Sequence, residues 1–133
     1  MPIDHEILND GEMVISTVTG VLIGQELADH MFWQINQFGT ALKTGYQQIF
    51  DTLGADSVDI DEEDMKRISQ IILTYGQERG KVATAIVAIS PDIRKMAYYY
   101  KSLSEITEVT VEVFADRFEA ERWLAGLHRA RAG

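Results

Sequence analysis

The run Ala55-Asp56-Ser57-Val58-Asp59-Ile60-Asp61-Glu62-Glu63-Asp64 concentrates the groups best able to do chemistry in this chain, with six carboxylates and no basic residue. Three chemistries are open to such a run. As a calcium loop it fails: counted from Asp59, the sixth position is Asp64 where a glycine is needed, and the twelfth is Gln70 where an acid is needed. Asp59 and Asp61 keep a spacing that would suit magnesium, but spacing is all they offer. As a phosphate cradle the run lacks a glycine-rich loop and a lysine, and its carboxylates repel anions. As a helix start it works well. Asp61 can cap, Asp64 follows three positions on, and Glu62 and Glu63 meet the positive end of the helix dipole. General acid–base catalysis would need an apolar pocket to raise one carboxyl pKa, and clustered exposed acids supply none.

Two other constellations compete. Ser90-Pro91-Asp92, followed by Arg94 and Lys95, combines a hydroxyl, free helix N–H groups and cations that could hold an anion; a plain N-cap explains the same residues. The histidines His5, His30 and His128 are far apart in the chain, and no G-x-S-x-G elbow accompanies them. The absence of cysteine removes thiolate nucleophiles, disulfides and cysteine metal sites. Tyr98, Tyr99 and Tyr100 point in three directions on a helix, about 100° apart, so they cannot share one buried face. With Trp33 and Trp123 they are candidates for core and rim packing or for a self-association patch.

The elements that would position these groups alternate. Residues 3–8 and 13–19 are expected strands, joined at Asn9-Asp10-Gly11, a hairpin signal because these residues tolerate positive φ. Gly20 and Gly24 bracket a short apolar connection. A helix over about 25–38 carries the stripe Leu27, Met31, Ile35 and Phe38. Residues 46–53 form the next strand, and the acidic run leads into a helix with the stripe Met65, Ile68, Ile72 and Tyr75, closed by Gly76 and Gly80. The apolar run over 81–89 suits a central strand covered on both faces, its alanines admitting a close helix. Ile93, Met96, Ala97 and Tyr100 mark a third buried stripe. Val109, Val111 and Val113 alternate as an edge strand does. Asp116 and Glu119 form a capping box for a last helix facing inward through Ala120, Trp123, Leu124 and Leu127. The order is ββαβαβαβα: one α/β domain over residues 1–133, with a mixed, mostly parallel sheet of about five strands and four helices.

Composition narrows the function. A 133-residue chain fits one domain with a real core. A net charge of −9 opposes nucleic acid and anionic membrane as partners. No apolar run is long enough to span a bilayer, and the first residues do not resemble a signal peptide, so membrane insertion is not expected and a cytoplasmic location is. No cofactor is called for by any motif.

Val18-Thr19-Gly20-Val21-Leu22, the segment IFDTLGADSVDIDEEDM and the ending VFADRFEAERWL together resemble the SpoIIAA-like family, a bacterial branch of the STAS domains that is related in fold to the CRAL-TRIO lipid-transfer domains. The resemblance runs along almost the whole chain. It implies a STAS-like sheet of successive β–α units and a regulatory, non-enzymatic role. In antagonists of anti-sigma factors a serine at the start of the second helix is phosphorylated by a partner kinase. The matching position here is Asp61, which no serine kinase can modify, and Asp59-Ile60-Asp61-Glu62 replaces the usual Asp-Ser-Ser/Thr-Gly. Ser57 is an outside candidate for modification. The expectation is a binding module using Ser57, Asp59, Asp61, Glu62 and Ser90 against a protein with a basic surface, with homodimerisation through aromatic helix surface also open. The alternative is a carrier of a small apolar ligand or lipid, which requires an apolar cavity of about 300 Å³ or more.

Overall fold

In the computed structural model, which describes residues 3–75, 80–105 and 107–132, the elements follow the expected order. They are β1 (Ile3–Leu8), β2 (Met13–Ile23), α1 (Gly24–Gln37), β3 (Gln47–Asp59), α2 (Glu62–Tyr75), β4 (Ala83–Val87), α3 (Pro91–Ser104), β5 (Thr110–Phe114) and α4 (Arg117–Ala132). The hairpin forms where Asn9-Asp10-Gly11 predicts it. Asn9, Asp10 and Gly11 take φ of 54°, 55° and 91° in a single 3-10 turn. A side chain at Gly11 would run into the Ala41 carbonyl.

The five strands lie in the order β1-β2-β3-β4-β5. β1 pairs antiparallel with β2, and every other pairing is parallel. Helices α1, α2 and α3 cover one face, and α4 covers the other. Strand parity assigns the residues. Val14, Ser16 and Val18 of β2, with Gln48 and Phe50 of β3, turn toward the three-helix layer, whereas Ile49, Ala83, Ala85 and Val87 face Ala120 and Leu124 of α4. β4 is buried throughout, as its unbroken apolar run requires. Its alanines meet Ala120, the close helix approach that small side chains permit.

Two boundaries differ from the sequence reading. Val21 and Leu22 are strand and not a connection, because β2 continues to Ile23. β3 likewise runs past Leu53 to Asp59. The two extensions pair with each other, Gly20 with Ala55 through Ile23 with Asp59, and register shifts interrupt them between Thr17 and Thr19 and between Gly20 and Val21. β4 ends opposite Asp51, so beyond that point β3 continues paired with β2. Gly80 has the positive φ of 73° expected of a closing glycine, and Gly76 lies outside the described residues. No described helix is long and apolar enough to cross a membrane.

Candidate functional site

The acidic run occupies the far end of the β2–β3 ribbon and the start of α2. Ser57 and Asp59 are exposed on β3, paired with Val21 and Ile23. Asp61 and Asp64 form a reciprocal cap: the Asp64 amide donates to Asp61 Oδ1 at 2.8 Å, and the Asp61 amide donates to Asp64 Oδ2 at 3.1 Å. Arg67 donates to Asp64 Oδ1 at 3.4 Å and to Gln25 Oε1 at 3.2 Å, which ties α2 to the start of α1. Asp64 also fills the space where a side chain on Gly24 would stand. Two helix N-termini therefore converge on one carboxylate, an arrangement both dipoles favour. Glu62 and Glu63 project into solvent from the first turn of α2.

Ser90 stands at the N-cap position of α3, but its side chain makes no capping hydrogen bond; Pro91 and backbone geometry start the helix without it. Arg94 is not free to cradle an anion. It donates to the Ala88 carbonyl at 2.8 Å and to the Tyr98 hydroxyl at 3.2 Å. Ser57, Asp59, Asp61 and Glu62 are brought together by chain continuity, while Ser90 lies at the end of β4. Between the two regions runs an open, largely apolar groove of about 550 Å³, with Val58, Ile60 and Met65 on one wall and Asp92, Lys95, Met96, Tyr98 and Tyr99 on the other.

A second constellation, which the separation of the histidines along the chain does not reveal, joins two of them. His5 lies flat on Trp33, with ring centroids 3.8 Å apart and planes 6° apart, and stacks on His30 at 5.0 Å. Behind them a polar chain passes through the core. Tyr46 donates its hydroxyl to Gln34 Oε1 at 2.6 Å, and Thr84 donates to Gln48 Oε1 at 3.4 Å. Both amide NH₂ groups then point at His30 Nε2, at 2.7 and 3.1 Å. That nitrogen accepts, and the ring proton belongs on Nδ1. Ser16 Oγ closes the chain at His5 Nδ1, 3.1 Å away. Burial of the His5 ring holds its pKa below the ordinary 6.5, against a smaller opposing pull from Asp4. A sequence signal existed: Glu26, Asp29, His30 and Trp33 follow i, i+3, i+4, i+7 spacing, one polar and aromatic stripe on α1.

The arrangement can be tested against catalysis, metal binding and carriage. Ser16 and His5 are a serine–histidine pair, but Ser16 is 0 % exposed, so no substrate reaches its hydroxyl. Among the described residues no three histidine or acidic side chains converge as a metal site, and magnesium at Asp59 and Asp61 gains no third ligand. The pocket between α1 and α3, lined by His30, Gln34, Gln48 and Thr84 with apolar neighbours, holds about 40 Å³. That is room for a few waters, so this pocket falls short of the roughly 300 Å³ a carried ligand needs.

No family model matches the chain, and no curated protein matches it. Solved structures do. A protein of the DUF3478 family from Shewanella loihica, described as having a SpoIIAA-like fold, aligns over 92% of this chain and 91% of its own, with a TM-score of 0.60 at 15% identity. An anti-sigma factor antagonist from Mycobacterium paratuberculosis aligns over 90% and 92%, with a TM-score of 0.50 at 10% identity. The chain has the STAS, SpoIIAA-like fold.

Proposed function

We propose that this chain is a regulatory protein-interaction module that binds and does not catalyse. It engages a partner with a basic surface through Ser57, Asp59, Asp61 and Glu62 and the exposed side of α2, with Ser90 on the facing region of α3. The likeness in fold to an anti-sigma factor antagonist supports the class. The observation that carries the reading is the open apolar groove bordered by the acidic run. Protein interfaces combine an apolar centre with a polar rim, and uncompensated carboxylates at the rim hasten encounter with basic partners. Asp61, in the place where the family resemblance puts a phosphorylated serine, supplies a carboxylate without modification.

The test must spare the α2 cap, so Asp61 is left in place. A photo-crosslinking residue at Tyr99 is expected to trap a partner. Asp59→Lys with Glu62→Lys is expected to abolish trapping, whereas Glu119→Lys with Glu121→Lys on α4 leaves it intact. Trapping that survives the first pair would overturn the assigned surface. Self-association is a second reading, favoured by Tyr98 and Tyr99, each 47 % exposed. Sedimentation that depends on concentration, and loses that dependence in Tyr98→Ala with Tyr99→Ala, would support it.

A further inference from the structure

The cleft between β1 and α1 is separate from the groove beside the acidic run. It has a volume of about 640 Å³ and is lined by Ile3, Asp4, His5, Glu26, Asp29, His30 and Trp33, with no lysine or arginine among its described walls. The α1 residues sit at the spacing an amphipathic helix gives its buried stripe, and β1 is the end of the sheet. Asp29 accepts from Gln25 Nε2 at 2.8 Å. Glu26 differs: the residue is half-buried, and its Oε2 is shielded from water with no hydrogen-bond partner among the described residues. A shielded, unpartnered carboxylate oxygen is unfavourable, and native proteins rarely keep one without a use. A donor entering the cleft would draw this carboxylate outward about its soft terminal torsion. Beside it lie the stacked rings of His5 and Trp33.

We propose that this cleft binds an alkylguanidinium group, the chemistry of an arginine side chain. A planar guanidinium can pair with a carboxylate through two parallel N–H bonds and lie flat against an aromatic ring, which an ammonium cannot do. The same chemistry comes from a free alkylguanidinium or from an arginine on a peptide extended along β1. The site uses none of the residues of the proposed partner surface, so either can fail alone.

The two tryptophans provide the readout, since Trp33 lines the cleft and Trp123 lies on α4 across the sheet. The ¹H–¹⁵N spectrum of the full chain is followed during titration with ethylguanidinium, then with the capped tripeptide acetyl-Val-Arg-Val-amide. The Trp33 indole signal is expected to shift saturably while that of Trp123 stays still. Glu26→Gln is expected to weaken binding about fivefold to tenfold, and Asp29→Asn gives a second, independent loss should the change at Glu26 disturb the helix. Tighter binding of the peptide assigns a protein-borne arginine; equal binding assigns a free guanidinium. Asp59→Lys with Glu62→Lys leaves both unchanged. No saturable Trp33 shift, equal shifts of both indoles, or full affinity in both cleft variants would overturn the site.

Discussion

His5 reaches its place by parity. Ile3, His5 and Ile7 share one side of β1, and that side faces α1, so the ring is pressed onto Trp33 and His30. Its stability contribution has a definite sign with pH. In the unfolded chain the ring titrates near 6.5; in the fold burial lowers that value. Above about pH 6.5 both states are neutral and the contribution is whole. As pH falls through that value the unfolded chain takes the proton first, and stability is lost until the folded ring titrates too. Urea midpoints should therefore fall more for the natural chain than for His5→Asn between about pH 7.5 and about pH 5.5. Tyr46→Phe tests the chain behind it. Losing the donor to Gln34 Oε1 should cost about 1–2 kcal/mol in urea unfolding, the usual penalty for weakening a buried polar network. Neither effect was legible in the sequence. Separations of 25 residues between His5 and His30, and of 18 between His30 and Gln48, become contacts only once strand order is known.

At the scale of elements, periodicity and capping chemistry were readable and register was not. The Asp61–Asp64 cap follows from residue types three apart, and it forms. Asp61→Ala should destabilise by about 1 kcal/mol, and Glu62→Ala, in solvent on the next residue, by no more than about 0.5 kcal/mol, measured by thermal or urea unfolding. A loss of similar size in both would mean that charge at the dipole, and not the cap, holds this helix end. The ribbon formed by the ends of β2 and β3 escaped the sequence for a physical reason. Alternation identifies a strand only while its register is constant, and two shifts within a few residues break the pattern. Gly54 adds to this, since a side chain there would press on the Val18 carbonyl at 3.0 Å. The acids of Asp56 and Asp59 therefore sit on strand and not in the loop their composition suggests. Of the proposed partner surface, Ser57 and Asp59 stand on this paired strand, and Asp61 and Glu62 follow at the start of α2.

At the scale of the whole molecule, sheet layering sorts the chemistry. Three helices and the larger core lie on one face with the histidine chain and the two grooves described above, while α4 alone covers a small alanine-rich core on the other, beside an open groove along Phe114 and Trp123. The charge excess is spread over this frame. The ion pairs of the described residues, such as Lys66–Glu63, Lys101–Glu112 and Arg117–Glu121, lie largely at the surface, where each contributes about 0–1 kcal/mol. A net charge of −9 opposes compaction at longer range. Salt acts on both, but unequally. Shortening the Debye length from about 10 Å at 0.1 M to about 3 Å at 1 M removes the many distant repulsions while touching only a few weak pairs. The melting temperature should therefore rise with sodium or potassium chloride alike, by a few degrees. Asp59→Lys with Glu62→Lys relieves the excess where the acids are densest and should show a shallower rise. A melting temperature that falls with salt would mean that the surface pairs outweigh the repulsion; an unchanged slope in the double variant would mean that the acidic ribbon is not where the repulsion is concentrated.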